Sequence, residues 1–409
     1  IQRDSSSLMY RQDLSQYFEM FVLRRLTAVE VDPESSNQHE FNGVKELKAL
    51  FGTERQEVSA TFIYLSEEDR EPLVSSGSLT WYDAREKHPF RTEFRLYFRE
   101  NEAINSANAD DLLFVGKRPS GDLMIVIAEA YSTADSQLRW LARASAQIGH
   151  QFELRDRDQA HAINVGFVER LFLEQLGIST FVVEPDLLKT LQARFGNRFP
   201  GTADFSAFAR ELAGPMDAAE DPDKVLLAWM DQEEVCFRTM ERFLLEERLE
   251  EGFGNDVDAF IQYSLSVQNR RKSRVGHAFE HHLSRVFIEN DISFTRGAQT
   301  ENRSKPDFVF PGISAYWDEQ FPEQRLTMLG AKTTCKDRWR QILSEAKRIS
   351  EKHLITLEPS ISETQTTEMR ANAVRLVIPS EIQSSYLESQ RSELLSVSLF
   401  IEHLRETQS

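Results

Sequence analysis

Four ionisable residues, Glu280, Asp307, Lys332 and Glu345, stand where they could act together. Asp307 follows Pro306 and leads into the apolar run Phe308-Val309-Phe310, which predicts a strand. Lys332 lies near the end of a second strand predicted over 325–333. Strand side chains alternate between faces, so Asp307 shares a face with Val309, and Lys332 with Gly330 and Met328. An acid and a lysine at the ends of neighbouring strands can meet in one cleft. Glu345 falls on a helix predicted over 337–352. Glu280 sits beside the apolar stripe of a helix predicted over 275–289. Carboxylate oxygens suit a hard cation such as Mg²⁺. A nearby lysine can orient or deprotonate a metal-bound water, or neutralise charge on a pentavalent phosphate. Metal-assisted phosphodiester hydrolysis uses those parts. A Pro-Asp pair followed by a lysine also arises by chance, and Glu280 read alone is equally a helix-surface acid.

The elements that must position these groups form an α/β order. Helices are predicted at 187–195, 205–212, 225–250, 257–268 and 275–289. Strands are predicted at 306–310, 325–333 and 373–379. The basic cluster Arg270-Arg271-Lys272-Ser273-Arg274 reads as a break between two helices, and the acidic run 217–223 as a solvated loop. The first ~170 residues differ in character. Short runs at 18–26, 58–65, 78–82, 92–98, 111–115 and 122–128, bounded by turn residues, predict a β-barrel or sandwich, with helices at 43–51 and 136–148. The expected organisation is an N-terminal domain over 1–172, a linker over 173–185 and a second domain over 186–409.

The 409 residues carry 48 Lys and Arg against 66 Asp and Glu, a formal charge of −18. That balance argues against a generic DNA-coating protein but allows a local basic cleft. No stretch approaches the roughly 20 apolar residues of a membrane helix. The chain begins at Ile1 without a signal-peptide pattern. Cys236 and Cys335 are the only cysteines, which excludes a disulfide scaffold and fits a reducing, cytoplasmic setting. Cys335 lacks a nearby His and is not expected to be a nucleophile. His281 and His282 are adjacent, poor spacing for one metal, and read as surface or partly packed.

Three segments carry a resemblance. They are Ser266-Val267-Gln268-Asn269-Arg270-Arg271-Lys272-Ser273-Arg274-Val275-Gly276, Lys305-Pro306-Asp307-Phe308-Val309-Phe310-Pro311, and Leu329 through Leu343 with its Gly330-Ala331-Lys332 and Lys336-Asp337-Arg338. From about Gly252 onward the chain resembles the catalytic half of EcoRII-type restriction endonucleases. The resemblance implies a PD-(D/E)xK, restriction-endonuclease-like α/β domain, Mg²⁺ as cofactor and double-stranded DNA as substrate, without a nucleotide cofactor. The usual acid two residues before the lysine is replaced by Gly330. The EcoRII-like branch is similar in moving that acid to the next helix, where Glu345 matches it. Asp307 and Glu345 would then hold Mg²⁺, Lys332 would act on water or phosphate, and Glu280 would be an outer or water-orienting group. Lys336, Asp337 and Arg338 would read adjacent C·G pairs, since Lys and Arg donate to guanine and Asp accepts from cytosine. A charged first helical turn is the plainer alternative. Arg270, Arg271, Lys272 and Arg274 would lie along phosphates, or form a solvated basic loop.

The resemblance further implies an N-terminal effector domain, a B3-like DNA-binding pseudobarrel. Here it rests on Trp81–Arg85 and Arg91–Arg95. Arg91, Glu93 and Arg95 would project from one strand face to read bases, joined by His39; an exposed mixed-charge strand is the alternative. A lysine expected just before Arg91 is replaced by Pro89 or Phe90. In the helix before Gly252-Phe253-Gly254, the family's base-holding arginine is absent, and Phe237 could stack. The expectation is a homodimeric prokaryotic type II enzyme, because cutting both strands of a near-palindrome suits two-fold symmetry. Its target would be CCWGG-like, and effector binding would relieve autoinhibition. A nuclease without strict sequence preference and a catalytically silent DNA-binding regulator on the same fold stay open.

Overall fold

The computed structural model describes residues 12–31, 40–68, 71–145, 147–180, 185–335 and 338–408. Its contacts divide the chain into two units, Ile1–Ser179 with Ser360–Thr366, and Thr180–Pro359 with Thr367–Ser409.

The first unit is mainly β. Its strands are β1 (Gln12–Asp13), β2 (Met20–Arg25), β3 (Glu40–Asn42), β4 (Gln56–Leu65), β5 (Leu73–Asp83), β6 (Phe94–Phe98), β7 (Leu112–Lys117), β8 (Leu123–Ala128), β9 (Glu153–Arg155) and β10 (Asn164–Val165). Eight of them form one sheet in the order β3-β6-β5-β4-β8-β7-β2-β9, and β1 pairs with β10. All neighbours are antiparallel except β4 and β8. The period-2 alternation feeds two cores. Phe21, Leu23, Phe114 and Val126 pack into one with the helix Thr133–Leu141. Val22, Leu113, Val115, Ile125, Trp81 and Leu96 pack into the other. Strands β7 and β8 are therefore buried on both faces and read as continuous apolar runs.

The second unit stacks helices and a mixed sheet. Strands β11 (Thr295–Arg296), β12 (Phe308–Phe310), β13 (Thr327–Lys332), β14 (Lys352–Thr356) and β15 (Val374–Val377) lie side by side in chain order. The first three are antiparallel, and β13-β14-β15 run parallel. Phe287, Phe308, Phe310 and Phe400 meet mostly edge to face beneath β12, with centroids 5.2 to 6.4 Å apart. Such aromatic contacts add to the area they bury.

Four expectations change. The helix expected over 337–352 is one turn, Trp339–Ile342, and β14 follows it. Trp339, Ile342, Ala346 and Ile349 are all buried, so the helical spacing is real. A left-handed Ala346, at φ 45°, nevertheless breaks the helix. The basic cluster does not interrupt a helix: Val257–Glu289 is continuous, in keeping with the helix propensity of Arg and Lys. His282 is fully buried rather than superficial, its Nε2 2.8 Å from Glu233 Oε2 and its Nδ1 accepting from Arg210. The acidic run ends in a buried residue. Asp223, in the first turn of the helix Pro222–Glu251, accepts from the amides of Ser380, Val397 and Ser398 at 3.0, 2.8 and 2.9 Å. It thereby satisfies the starts of the helices Ser380–Gln383 and Val397–Gln408.

Replacing Asp223 by Ala strands those donors and should cost about 2–3 kcal/mol, measured by urea denaturation. A loss below a few tenths would show the amides find other partners. His353, in β14, stacks near Phe400 and His403, and neither ring nitrogen has a hydrogen-bond partner among the described residues. Burial, followed by His403 and Arg375, pushes its pKa down to about 3. The unfolded chain then takes up a proton below about pH 6.5 that the fold refuses until pH 3, so stability falls with pH through that window. His353→Phe should gain thermal stability over wild type increasingly as pH drops from 8 to 5. A pH-independent difference would refute this.

Candidate active site

Strands β12 and β13 pair with Phe308 opposite Leu329, which sets Asp307 beside the end of β13. Asp307 Oδ2 accepts from the Ala331 amide at 2.7 Å and from Lys332 Nζ at 2.8 Å. One donor is backbone, so the carboxylate's place follows from sheet register rather than from rotamer choice. The side chains of Asp307 and Lys332 keep 16 and 23% of their surface exposed, open enough to meet a ligand.

Glu345 completes the group from the turn after Trp339–Ile342, not from a helix. Its pKa is raised to about 7, first by burial and then by Asp307, with Lys332 and Lys352 opposing. Two carboxylates therefore lie close enough to interact in a partly dry corner, with Lys332 and Lys352 nearby. That is the donor set a hard divalent cation takes, one or two carboxylates with waters or phosphate oxygens filling the rest. Among the described residues no cluster of three or more His, Cys, Asp or Glu side chains could hold a metal by itself.

Gly330 explains why the second acid comes from elsewhere. A Cβ at this position would lie 2.9 Å from Ile342 Cγ2 and 3.5 Å from Leu354 Cδ1. The space an acid would need two residues before Lys332 is filled by the one-turn helix that carries the chain on to Glu345.

Glu280 is not bonded to this group. It accepts from Arg296 Nε and Nη2 at 2.9 and 2.7 Å, and Arg296 Nη1 also donates to His281 Nδ1. Arg296 lies in β11 opposite Phe308, and the Gly297 amide donates to the Asp307 carbonyl. Glu280 thus braces the strand beside Asp307. Arg296 went unremarked in the sequence because its strand has two residues. Cys335 is fully buried, its thiol pushed well up by burial, as expected of an inert residue.

The DNA-reading candidates are placed unevenly. Lys336, Asp337 and His39 lie outside the described residues. Arg338 is exposed at the start of Trp339–Ile342. Of the basic cluster, Arg271 is paired with buried Glu241 at 2.7 Å. Arg274 donates to the Pro200 carbonyl at 2.6 Å and lies over Phe199 and Phe205. Arg274 is half-buried and Arg271, though exposed, is tied to Glu241, and both lie on a helix, contrary to the solvated-loop alternative. Arg270 lies over the Phe199 ring, and Lys272 is exposed on the same helix. Phe237 is buried and stacked on Phe199, so it is not available to stack on a base. In the first unit, β6 starts only at Phe94, so Arg91 and Glu93 precede the strand instead of lying on its face. Glu93 is bridged by Arg85 and Arg95, which hold its carboxyl below the usual range, and Arg95 also donates to Asn42. Arg91 is exposed.

This geometry belongs to a sequence with known relatives. Residues 237–401 match the family model described as EcoRII C terminal. Over 208 residues the chain is 43% identical to Type II restriction enzyme EcoRII of Escherichia coli, a match covering 51% of each. The chain thus aligns with about half the length of that curated relative. Among solved structures, metal-depleted Ecl18kI in complex with uncleaved, modified DNA gives a TM-score of 0.45 at 19% identity, covering 55% of this chain and 85% of that one. The restriction endonuclease PspGI–substrate DNA complex gives 0.44 at 13% identity, covering 56 and 98%. The match begins at Phe237, upstream of the Gly252 from which the likeness is legible by eye.

The steric reading of Gly330 is directly testable. Restoring the acid as Gly330→Asp should destabilise the fold by about 1–3 kcal/mol through overpacking against Ile342. Thermal unfolding of the variant beside wild type measures it, and an unchanged midpoint would show that Ile342 yields.

Proposed function

We propose that this chain is a type II site-specific endodeoxyribonuclease acting on double-stranded DNA with Mg²⁺. The observation that carries the reading is the convergence of Asp307, Lys332 and Glu345 within the segment that matches the EcoRII C terminal family model. Asp307 and Glu345 would hold the ion. When bound, Mg²⁺ would polarise the scissile phosphate and lower the pKa of a bound water. The chain's own residues do the positioning. The Ala331 amide and Lys332 keep Asp307 aimed in one direction. Lys332 Nζ, held at that carboxylate, would neutralise charge growing on the phosphate. Its fixed place means little reorganisation is needed when charge develops. Glu280 would act through Arg296 on the strand beside Asp307.

The finer reading follows the relatives. Arg338 with its neighbours Lys336 and Asp337 would read C·G pairs of a CCWGG-like site. Arg270 and Lys272 would meet phosphates, while Arg271 and Arg274 fasten their helix. Two copies would act as a homodimer, cutting before the first C and leaving a 5′-phosphate. The N-terminal unit would bind a second copy of the site, through Arg91, Arg95 and the Glu93 between them, and relieve autoinhibition.

Digestion of a plasmid of known sequence with Mg²⁺, beside Asp307→Ala and Lys332→Ala, tests the core of this reading. Wild type should give discrete fragments, and each variant should cut about 10²–10⁴-fold more slowly. If plasmid stays uncut even with a short effector duplex added, while DNA binding persists, the chain is a DNA-binding regulator. A continuous smear would show cleavage without site preference.

A further inference from the structure

Lys352 has no counterpart among the residues whose spacing suggests chemistry. It opens β14, is 95% buried, and its amide is bonded to the Ala373 carbonyl. An ammonium so placed demands acceptors, because an unpaired buried charge is costly. Its acceptors are unusual. Nζ donates to the carbonyls of Glu345 and Ala346, at 2.5 and 2.6 Å, rather than to a carboxylate. Those carbonyls belong to the turn that presents the Glu345 side chain. Ala346 is left-handed at φ 45°, a conformation that an L-residue holds only when its surroundings over-determine it. The Ala346 carbonyl also accepts from Ile349, and its amide donates to Thr300 Oγ1. On the far side, Glu301 accepts from the Lys347 amide and from Tyr316. Lys352 Nζ thus bridges two consecutive carbonyls of the turn.

We infer that Lys352 is a positioning residue that clamps the Glu345 turn so that Glu345 and Asp307 face a common divalent cation. The inference rests on the nuclease reading above. It follows from geometry: two carbonyls bound by one ammonium fix the turn's orientation, and the field of that ammonium favours the ionised Glu345 it positions. Partners that orient metal ligands typically contribute ~10–100-fold in metal affinity.

Mn²⁺ binding to the full chain, followed by electron paramagnetic resonance without DNA, tests it. The set is wild type, Asp307→Asn, Lys352→Met and Lys352→Met with Ala346→Gly, each checked for folding by circular dichroism. Lys352→Met should bind Mn²⁺ about 10–100-fold more weakly than wild type. Glycine reaches the left-handed conformation without a clamp, so the double variant should regain most of that loss. Folded Lys352→Met with wild-type affinity overturns the clamp, as does a double variant no tighter than the single. If Lys352→Met does not fold, Lys352→Gln, which can still donate to one carbonyl, decides. A loss of up to about tenfold supports the clamp, and wild-type affinity overturns it. Wild type that binds no Mn²⁺, or whose binding survives Asp307→Asn, overturns the nuclease reading itself and the clamp with it.

Discussion

The Asp307 carboxylate, held between the Ala331 amide and Lys332 Nζ, is the constraint on which the second unit depends. It requires β12 and β13 to pair antiparallel in one register, and the buried phenylalanines beneath β12 hold that register. A one-residue slip would turn Asp307 to the opposite face and break both bonds. The same pairing leaves no room at Gly330, where Ile342 packs against the strand. With that position closed, the second acid has to arrive from further along the chain, and the turn at 345 delivers it.

Several charged groups in this unit are buried and met by local partners. Asp223 is matched by three amides, Lys352 by two carbonyls, and Glu241 by Arg271. His282 lies between Arg210 and Glu233 on three packed helices. Such pairs add little net stability, because desolvation offsets attraction, but breaking one partner is costly. The physical consequence is specificity of arrangement: helices and turns bound through charged groups have few alternative packings. The site is the exception. Asp307 is met by Lys332, but burial and then Asp307 raise the pKa of Glu345 to about 7 against the opposing pull of Lys332 and Lys352.

Much of the fold was legible in the residues. The β-rich first unit follows from period-2 alternation, since residues such as Phe21 and Val22 go to opposite cores. Asp307 and Lys332 were legible because each sits at the end of an apolar strand. Other features were not. The spacing of Trp339, Ile342, Ala346 and Ile349 fits a helix and matches their burial, yet the backbone abandons the helix at Ala346. Periodicity reports which residues are buried, and a short irregular segment can bury the same set. β14 was hidden by that extrapolation, and Lys352 with it. Arg91 and Glu93 were drawn into β6 because alternation does not mark where pairing begins.

The sequence by itself determined the composition of the site and the kind of chain around it. Its apolar patterning sets the strands and long helices, and over 208 residues it is 43% identical to a type II restriction enzyme. Only the tertiary structure decided how those residues are used. It assigned Glu280 to Arg296, Arg271 to Glu241 and Phe237 to the core, and put Glu345 on a clamped turn instead of a helix. The reason is physical. Local patterning is set by neighbours a few residues away, whereas a charged or aromatic side chain takes whichever partner the packed chain brings within about 3 to 6 Å. That partner is commonly distant in sequence.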